Sequence, residues 1–328
     1  MHAHPFSRLT PDVVLDAVAA AGFAPDGRLL ALNSYENRVY QVWLDDGESE
    51  SRVVAKFYRP GRWSDAQIDE EHAFAHELAA REIPVIAPLT TLKAGTDPVF
   101  RVAIYPRRGG RTPELDDAKT LEWIGRFIGR IHAVGAARPF RHRESLTPQS
   151  FGHESRSFLL QTSFIPADLL DAWKAVTQQA LNAVERCYER AGDVRAIRLH
   201  GDCHVGNILW TDDGPHFVDL DDARMGPAMQ DLWMLLSGDR ASMTRQLGDV
   251  LAGYEDFAEL DRRELHLVEA LRTLRLMHYS AWIARRWDDP AFPAAFPWFG
   301  TQRYWQDRIL ELREQIALMD EEPLRPTA

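Results

Sequence analysis

The chain has 328 residues, 45% of them hydrophobic and 27% charged, with a formal net charge of −11. That length accommodates one large domain or two lobes, and the mixture is ordinary for a soluble globular enzyme. The acidic balance argues against nucleic acid or an anionic membrane as the main partner, so an anionic substrate needs local cations or metal.

The chain opens with Met1-His-Ala-His-Pro5, which lacks the basic and apolar regions of a signal peptide. No apolar run approaches the length of a membrane span. Cys187 and Cys203 are the only cysteines, which suggests a reducing compartment and no disulfide framework. A cytoplasmic protein is expected.

Residues 9–22 predict a helix, with Thr10 as cap, Pro11 in the first turn and Gly22 at the close. Residues 38–44 and 52–58 are rich in β-branched and aromatic side chains. With Asp45-Asp-Gly47 between them they predict a hairpin. Residues 64–82 predict a second helix, opened by the capping pattern Ser64-x-x-Gln67. Residues 99–105 predict another strand, and 106–113 form a basic connector holding Arg107-Arg-Gly-Gly-Arg111.

Beyond residue 118 the pattern is mostly helical. Leu121, Ile124, Phe127, Ile128 and Ile131 make one apolar stripe, and periodic segments follow near 166–190, 228–238, 241–257, 262–287 and 301–319. Short strands at 207–210 and 216–220 interrupt them. The expectation is an α+β, bilobal, protein-kinase-like fold. It divides into an N-terminal ATP-binding lobe (1–106), a connector (107–118) and a helical catalytic lobe (119–328), with the nucleotide cleft between the lobes.

The chemistry is concentrated in His200-Gly-Asp-Cys-His-Val-Gly-Asn207 and Phe217-Val-Asp-Leu-Asp-Asp222. Phosphoryl transfer needs a carboxylate to orient and deprotonate a hydroxyl, and further oxygen donors to hold Mg²⁺ on the phosphates. The first segment matches the H-R-D-x-x-x-x-N loop of protein kinases in spacing, with Gly201 in place of Arg. Asp202 is the expected base. Asn207 and Asp219 are expected Mg²⁺ ligands, because Mg²⁺ takes hard oxygen donors. Asp221, two residues on, faces the same side in an extended chain and is a candidate for a second metal ion. Asp222 reads better as a solvated or capping residue. His200, Cys203 and His204 raise a zinc alternative, but no separated second ligand pair supports it.

Only four of the 38 basic residues are lysines. A lysine in Val53-Val-Ala-Lys56 therefore invites a chemical reason. It matches the kinase strand V-A-I-K, whose ammonium holds the α- and β-phosphates and pairs with a helix carboxylate. Glu70 and Glu71 are the candidates, and Glu71 is favoured. Residues 32–40 occupy the place of a glycine-rich phosphate loop without any glycine, leaving Ser34 and nearby backbone amides to cover the phosphates. Asp231 resembles the aspartate that bonds the catalytic-loop backbone in kinases. The aromatics Trp282, Trp287, Phe292, Phe296, Trp298, Phe299, Tyr304 and Trp305 read mainly as core, with a share in a substrate groove as the alternative.

The segments His200-Gly-Asp-x-His-x-x-Asn207 and Val218-Asp-Leu-Asp221 resemble the aminoglycoside phosphotransferase and choline kinase superfamily. Together with Leu32-Asn-Ser-Tyr-Glu-Asn-Arg-Val-Tyr40, Lys56-Phe-Tyr-Arg-Pro60 and Asp289-Pro-Ala-Phe-Pro293, they resemble its stress response kinase A family over nearly the whole chain. The resemblance implies a cytoplasmic serine/threonine protein kinase acting in stress survival. It implies Asp202 as proton acceptor, Asp219 as an active-site residue, Asn207 and Asp219 on Mg²⁺, and Ser34 on ATP. Asp219-Leu-Asp221 replaces D-F-G and no A-P-E follows, so control by activation-loop phosphorylation is not expected. Protein hydroxyls, including its own, are the expected acceptors, and a monomer is expected. A small-molecule hydroxyl kinase and an ATP-binding regulatory protein are the alternatives.

Overall fold

The computed structural model describes residues 4–45, 47 and 51–326. An N-terminal region built on a five-stranded sheet is followed by a mainly helical region, as the α+β expectation requires. Helix α1 (Pro11–Ala20) is capped by Thr10, whose hydroxyl accepts from Val13 N at 3.4 Å. Strands β2 (Arg38–Leu44) and β3 (Arg52–Phe57) form the expected antiparallel pair, with Val39 opposite Lys56. In the turn between them, Asp46 and residues 48–50 lie outside the described residues, as do residues 1–3 of the chain start. Helix α2 (Asp65–Ala79) begins with the predicted capping box, Ser64 and Gln67 bonding reciprocally.

Two strands of this sheet go beyond the sequence expectation, β1 (Pro25–Ala31) and β4 (Thr90–Ala94), as do the short β6 (Ile197–Leu199) and β9 (Arg224–Gly226) of the helical region. β1 and β4 are the two edges of the sheet, whose order is β1-β2-β3-β5-β4 with β5 at Phe100–Pro106. Both are largely solvated, and β1 carries an irregularity between Pro25 and Leu29. A solvated edge strand lacks the apolar alternation by which strands are recognised.

In β3, Val53, Ala55 and Phe57 enter a core with Val14 and Val18 of α1. Period two then turns Val54 and Lys56 to the opposite face, where they line a cavity. Helix α2 buries Ile68, Glu71, His72, Ala75 and Leu78, spaced three and four apart. A glutamate on that stripe is carried inward with it.

The helical region contains α3 (Ala118–Gly135), α4 (Glu154–Leu160), α5 (Leu170–Ala191), α6 (Met229–Trp233), α7 (Arg240–Tyr254), α8 (Val268–Ala284), α9 (Ala291–Ala295) and α10 (Gln302–Met319). Helices α3 and α7 approach closely: a Cβ on Gly125 would lie 1.9 Å from the Val250 carbonyl oxygen, and one on Gly253 2.0 Å from that of Glu122. Short strands complete the region. β6 (Ile197–Leu199) pairs with β9 (Arg224–Gly226), and β7 (Ile208–Thr211) with β8 (Gly214–Phe217). These pairs bring the segments after β6 and after β8 to one cleft facing the sheet. No helix among the described residues is long and apolar enough to cross a membrane.

Candidate active site

The loop after β6 is held from below by one carboxylate. Asp231 Oδ2 accepts from His200 N at 2.8 Å and Oδ1 from Gly201 N at 2.9 Å. The buried His132 ring lies 3.0 Å from Asp231 through Nε2 and 3.0 Å from the Tyr254 hydroxyl through Nδ1. With an acceptor-only carboxylate on one side, the ring donates there and accepts from tyrosine. The expected kinship of Asp231 with a loop-bonding aspartate thus has a geometric counterpart here.

Gly201 has φ +85, and a Cβ there would lie 2.1 Å from the Asp222 carbonyl oxygen. That contact explains why glycine stands where protein kinases carry arginine: a side chain would separate the two acidic segments. His200 Nε2 bonds the Val218 carbonyl at 2.9 Å, tying the same segments from the other side. His204 Nδ1 accepts from Gly206 N at 2.9 Å, and Cys203 is buried. Each histidine makes a hydrogen bond through one ring nitrogen, and among the described residues no three His, Cys, Asp or Glu side chains gather as a metal site, so the zinc arrangement has no support.

Asp202 and Asn207 are joined through the loop itself. Asn207 Nδ2 donates to the Asp202 carbonyl at 2.9 Å, which leaves Asn207 Oδ1 as the atom available to a ligand. The Asp202 carboxylate meets Arg275 of α8 at 2.6 Å and His204 Nε2 at 3.5 Å. Burial pushes this carboxyl up, but His204 and Arg275 outweigh burial and hold it below the usual aspartate range. Asp202 is therefore ionised near neutrality and ready to accept a hydrogen bond.

The acidic segment differs from its expected shape. Strand β8 ends at Phe217, Asp219 adopts a left-handed backbone (φ 60, ψ 65), and residues 220–222 form a single 3-10 turn. Asp219 and Asp221 share a side because of this turn, not because the chain is extended. Lys56 Nζ lies 2.8 Å from Asp219 Oδ1, 3.2 Å from Asp221 Oδ1 and 3.8 Å from Glu71 Oε1. Burial disfavours the ammonium, yet Asp219, Asp221 and Glu71 outweigh it and raise Lys56 well above the ordinary lysine range.

Of the two candidate glutamates, Glu71 faces Lys56. Glu70 instead accepts the backbone N–H groups of Arg141, His142 and Arg143 at 2.6, 2.8 and 3.0 Å. Burial pushes Glu71 up to about 7, with Lys56 opposing.

Asp221 is less free than a second-metal role would ask. It is buried, it pairs with Arg62 as well as Lys56, and Arg62 also holds Asp222 at 2.8 Å. Burial opposes its charge, but Arg62 and Lys56 hold the Asp221 carboxyl down at about 2. Asp222, read from sequence as a solvated or capping group, is an ion-pair centre, with Arg224 at 2.6 Å besides Arg62. Arginine in a chain rich in it gave no signal of Arg62, whose role depends on a fold that brings Gly61-Arg-Trp63 over the acidic turn.

Ser34 lies where β1 turns toward β2, and its hydroxyl donates to the Asn37 carbonyl at 2.9 Å. The glycine-free loop is braced from outside. Glu36 accepts from Trp282 Nε1 at 2.6 Å and pairs with Arg286, just past the end of α8, and with Arg59 at 3.0 Å. Asp289, before α9, accepts from Arg38 at 3.0 Å through both oxygens and from Arg59 at 2.5 Å. A loop fixed by ion pairs on its outer side has no need of glycine to approach a ligand.

Two cavities meet here. One, of about 340 Å³, is lined by Leu32, Val54, Tyr105 and Leu209 and ends at Lys56 and Asp219. The other, of about 330 Å³, contains Asp202, Asn207 and Asp219 and is walled by Tyr35, Tyr279, Trp282 and Phe296. Of the aromatics read as core, Trp282 and Phe296 reach this second cavity, while Phe292, Phe299 and Trp305 are fully buried. An apolar slot ending in a lysine beside an acidic cavity suits a nucleotide on one side and a hydroxyl acceptor on the other.

Comparison with known proteins agrees with that geometry. The sequence model of the phosphotransferase enzyme family (APH) matches residues 28–267. "Stress response kinase A" of Salmonella choleraesuis is 46% identical over 330 residues, covering 99% of this chain and 98% of that protein. "Serine/threonine protein kinase RdoA" of Salmonella typhimurium is 46% identical with the same coverage. Among solved structures, amicoumacin kinase hAmiN, in complex with AMP-PNP, Ca²⁺ and Ami, superposes with a TM-score of 0.71 at 19% identity, covering 94% of each chain. The chain belongs to the phosphotransferase enzyme family, in its stress response kinase A group, and is a kinase.

Proposed function

We propose that the protein transfers the γ-phosphoryl group of ATP to serine or threonine hydroxyls of proteins, in a stress response. The observation that carries the phosphoryl-transfer part is the convergence of Lys56, Asp219, Asn207 and Asp202 on two adjoining cavities. Protein as acceptor and the stress setting rest on the names of the relatives at 46% identity. In this reading residues 1–106 bind nucleotide, 107–118 connect, and 119–328 supply the catalytic loop.

The adenine fits the apolar slot beside Tyr105 and Leu209. Lys56 would shift from Asp219 to the α- and β-phosphates, with Glu71 keeping its ammonium in place. Ser34 and the backbone amides of its loop would cover the phosphates. The donor set suits a hard divalent cation: Asn207 Oδ1 is uncommitted, Asp219 is half-exposed, and both face the cleft. Bound there by Asn207 and Asp219, Mg²⁺ would neutralise charge on the phosphates. Asp221, already held by Arg62 and Lys56, reads better as a support for Lys56 than as a ligand.

In the transfer, the acceptor oxygen bonds to the γ-phosphorus, the bond to the β,γ-bridging oxygen breaks, and its electron pair leaves on ADP. Asp202 accepts the hydrogen bond of the attacking hydroxyl and then its proton. A carboxyl held below the usual range is a weak base, which suits a loose transition state in which the proton moves late.

The test is transfer of labelled γ-phosphate from Mg-ATP to a generic protein acceptor and to the kinase itself, with Asp202→Ala alongside. Label on serine or threonine should fall by ~10²–10⁴-fold in the variant while ATP still binds. Turnover retained in that variant removes Asp202 from the mechanism. ATP turnover with metabolites but no protein label moves the acceptor to a small hydroxyl compound.

A further inference from the structure

Resting on the protein-kinase reading, we propose that Arg275 sets acceptor specificity, selecting serine or threonine next to an acidic side chain. The acceptor cavity holds several charges, and nearly all are matched without the acceptor. Asp222 pairs with Arg62 and Arg224, Asp221 with Arg62 and Lys56, and Glu36 with Arg59 and Arg286. Arg275 differs from the other cations. The carboxylate it meets, at 2.6 Å, belongs to Asp202, the group an incoming hydroxyl must use.

Binding a hydroxyl to Asp202 therefore displaces Arg275 or shares its partner. A guanidinium released into a partly enclosed cavity requires a new anion, and the acceptor is what brings one. Arg275 is a third exposed, on the face of α8 that also presents His278, Tyr279 and Trp282 at helical spacing. It can thus swing from Asp202 toward the cavity mouth without leaving its helix. His278, one turn on, lines the same wall, and its buried Nδ1 has no hydrogen-bond partner. The same arrangement disfavours a cationic acceptor, since every carboxylate lining the cavity among the described residues already has a cation.

The experiment uses the full chain with Mg-ATP and two serine peptides that differ only in flanking residues, glutamate in one and lysine in the other. Wild type, Arg275→Gln and Arg275→Glu are compared. A preference of kcat/KM for the acidic peptide on the order of tenfold is expected in the wild type. It should fall to near unity in Arg275→Gln and reverse in Arg275→Glu, with the KM for ATP unchanged. An equal or opposite wild-type preference, or a ratio unmoved by Arg275→Glu, overturns the proposal. Glycerate and choline form a second arm. If neither peptide is labelled, the protein-kinase reading fails by itself. Glycerate labelled above choline then upholds selection of an anionic acceptor by Arg275, and choline above glycerate overturns it.

Discussion

Lys56 Nζ lies 2.8 Å from Asp219 Oδ1 and 3.8 Å from Glu71 Oε1, so without nucleotide the ammonium leans toward the expected metal ligand. Phosphates would pull it back toward Glu71. Lys56→Met leaves Glu71 and Asp221 buried without their shared cation, and breaking a buried pair costs about 3–5 kcal/mol. The variant should melt lower, and the rise in Tm on adding Mg-nucleotide should shrink or vanish. A wild-type rise in Tm would remove Lys56 from the phosphate site.

Asp219 is half-exposed and turns toward the cavity through a left-handed backbone. Asp219→Asn keeps the shape and removes the charge. Nucleotide binding should lose its dependence on Mg²⁺, read by calorimetry across a Mg²⁺ titration. An unchanged titration would count against Asp219 as a ligand.

Asp289 ties the loop around Ser34, proposed to cover the phosphates, to the C-terminal part of the chain through Arg38 and Arg59. Its side chain is 1% exposed, so Asp289→Ala leaves Arg38 without its carboxylate and Arg59 with Glu36 alone. Loss of about 3–5 kcal/mol of stability is expected. Where the protein still folds, the KM for ATP should rise more than kcat falls, because the brace positions the loop and touches no reacting atom. An unaltered KM would separate the brace from nucleotide binding.

Much of this site is legible in the sequence because its chemistry is local. Asp202 and Asn207 lie five positions apart on one loop, and Ser64 and Gln67 announce the start of α2. Glu71 could be chosen over Glu70 by its place on the apolar stripe of that helix. The rest is long-range. Arg62 meets Asp221 and Asp222 across some 160 residues, and Glu36 meets Trp282 across 246. No periodicity reports such pairs, and arginine is too common here to mark any one of them. The shape of residues 219–222 escaped for another reason: a left-handed aspartate breaks the extended pattern that the apolar run before it suggests.

His278 stacks on Phe151 at 4.0 Å between ring centroids, and burial pushes its pKa down to about 3. Arg224, Arg285 and Arg286 add to the depression, and Asp222 opposes it. Above the unfolded value near 6.5 the ring is neutral in both states and stability does not depend on its protonation. As pH falls from about 6.5 toward 3, the unfolded chain binds a proton that the folded one refuses, so stability is lost. His278→Gln should flatten the fall of Tm over that window relative to wild type. Parallel Tm curves would show that His278 does not contribute.

Gly201 packs the catalytic loop against the acidic turn. With φ +85 and a Cβ position 2.1 Å from the Asp222 carbonyl oxygen, alanine meets both backbone strain and a clash with main chain that cannot rotate away. The strain alone costs about 1–3 kcal/mol. Relief requires the loop to rise off residue 222, which carries Asp202 with it and lengthens its distance from the cleft that Asp219 and Lys56 define. Gly201→Ala should therefore lower Tm and also lower kcat in the fraction that folds, while nucleotide binding changes little, because Lys56 and the apolar slot lie on other elements. A variant that melts early yet keeps full kcat would confine Gly201 to stability. One that keeps its Tm would mean that the close contact between the two segments is relieved without cost.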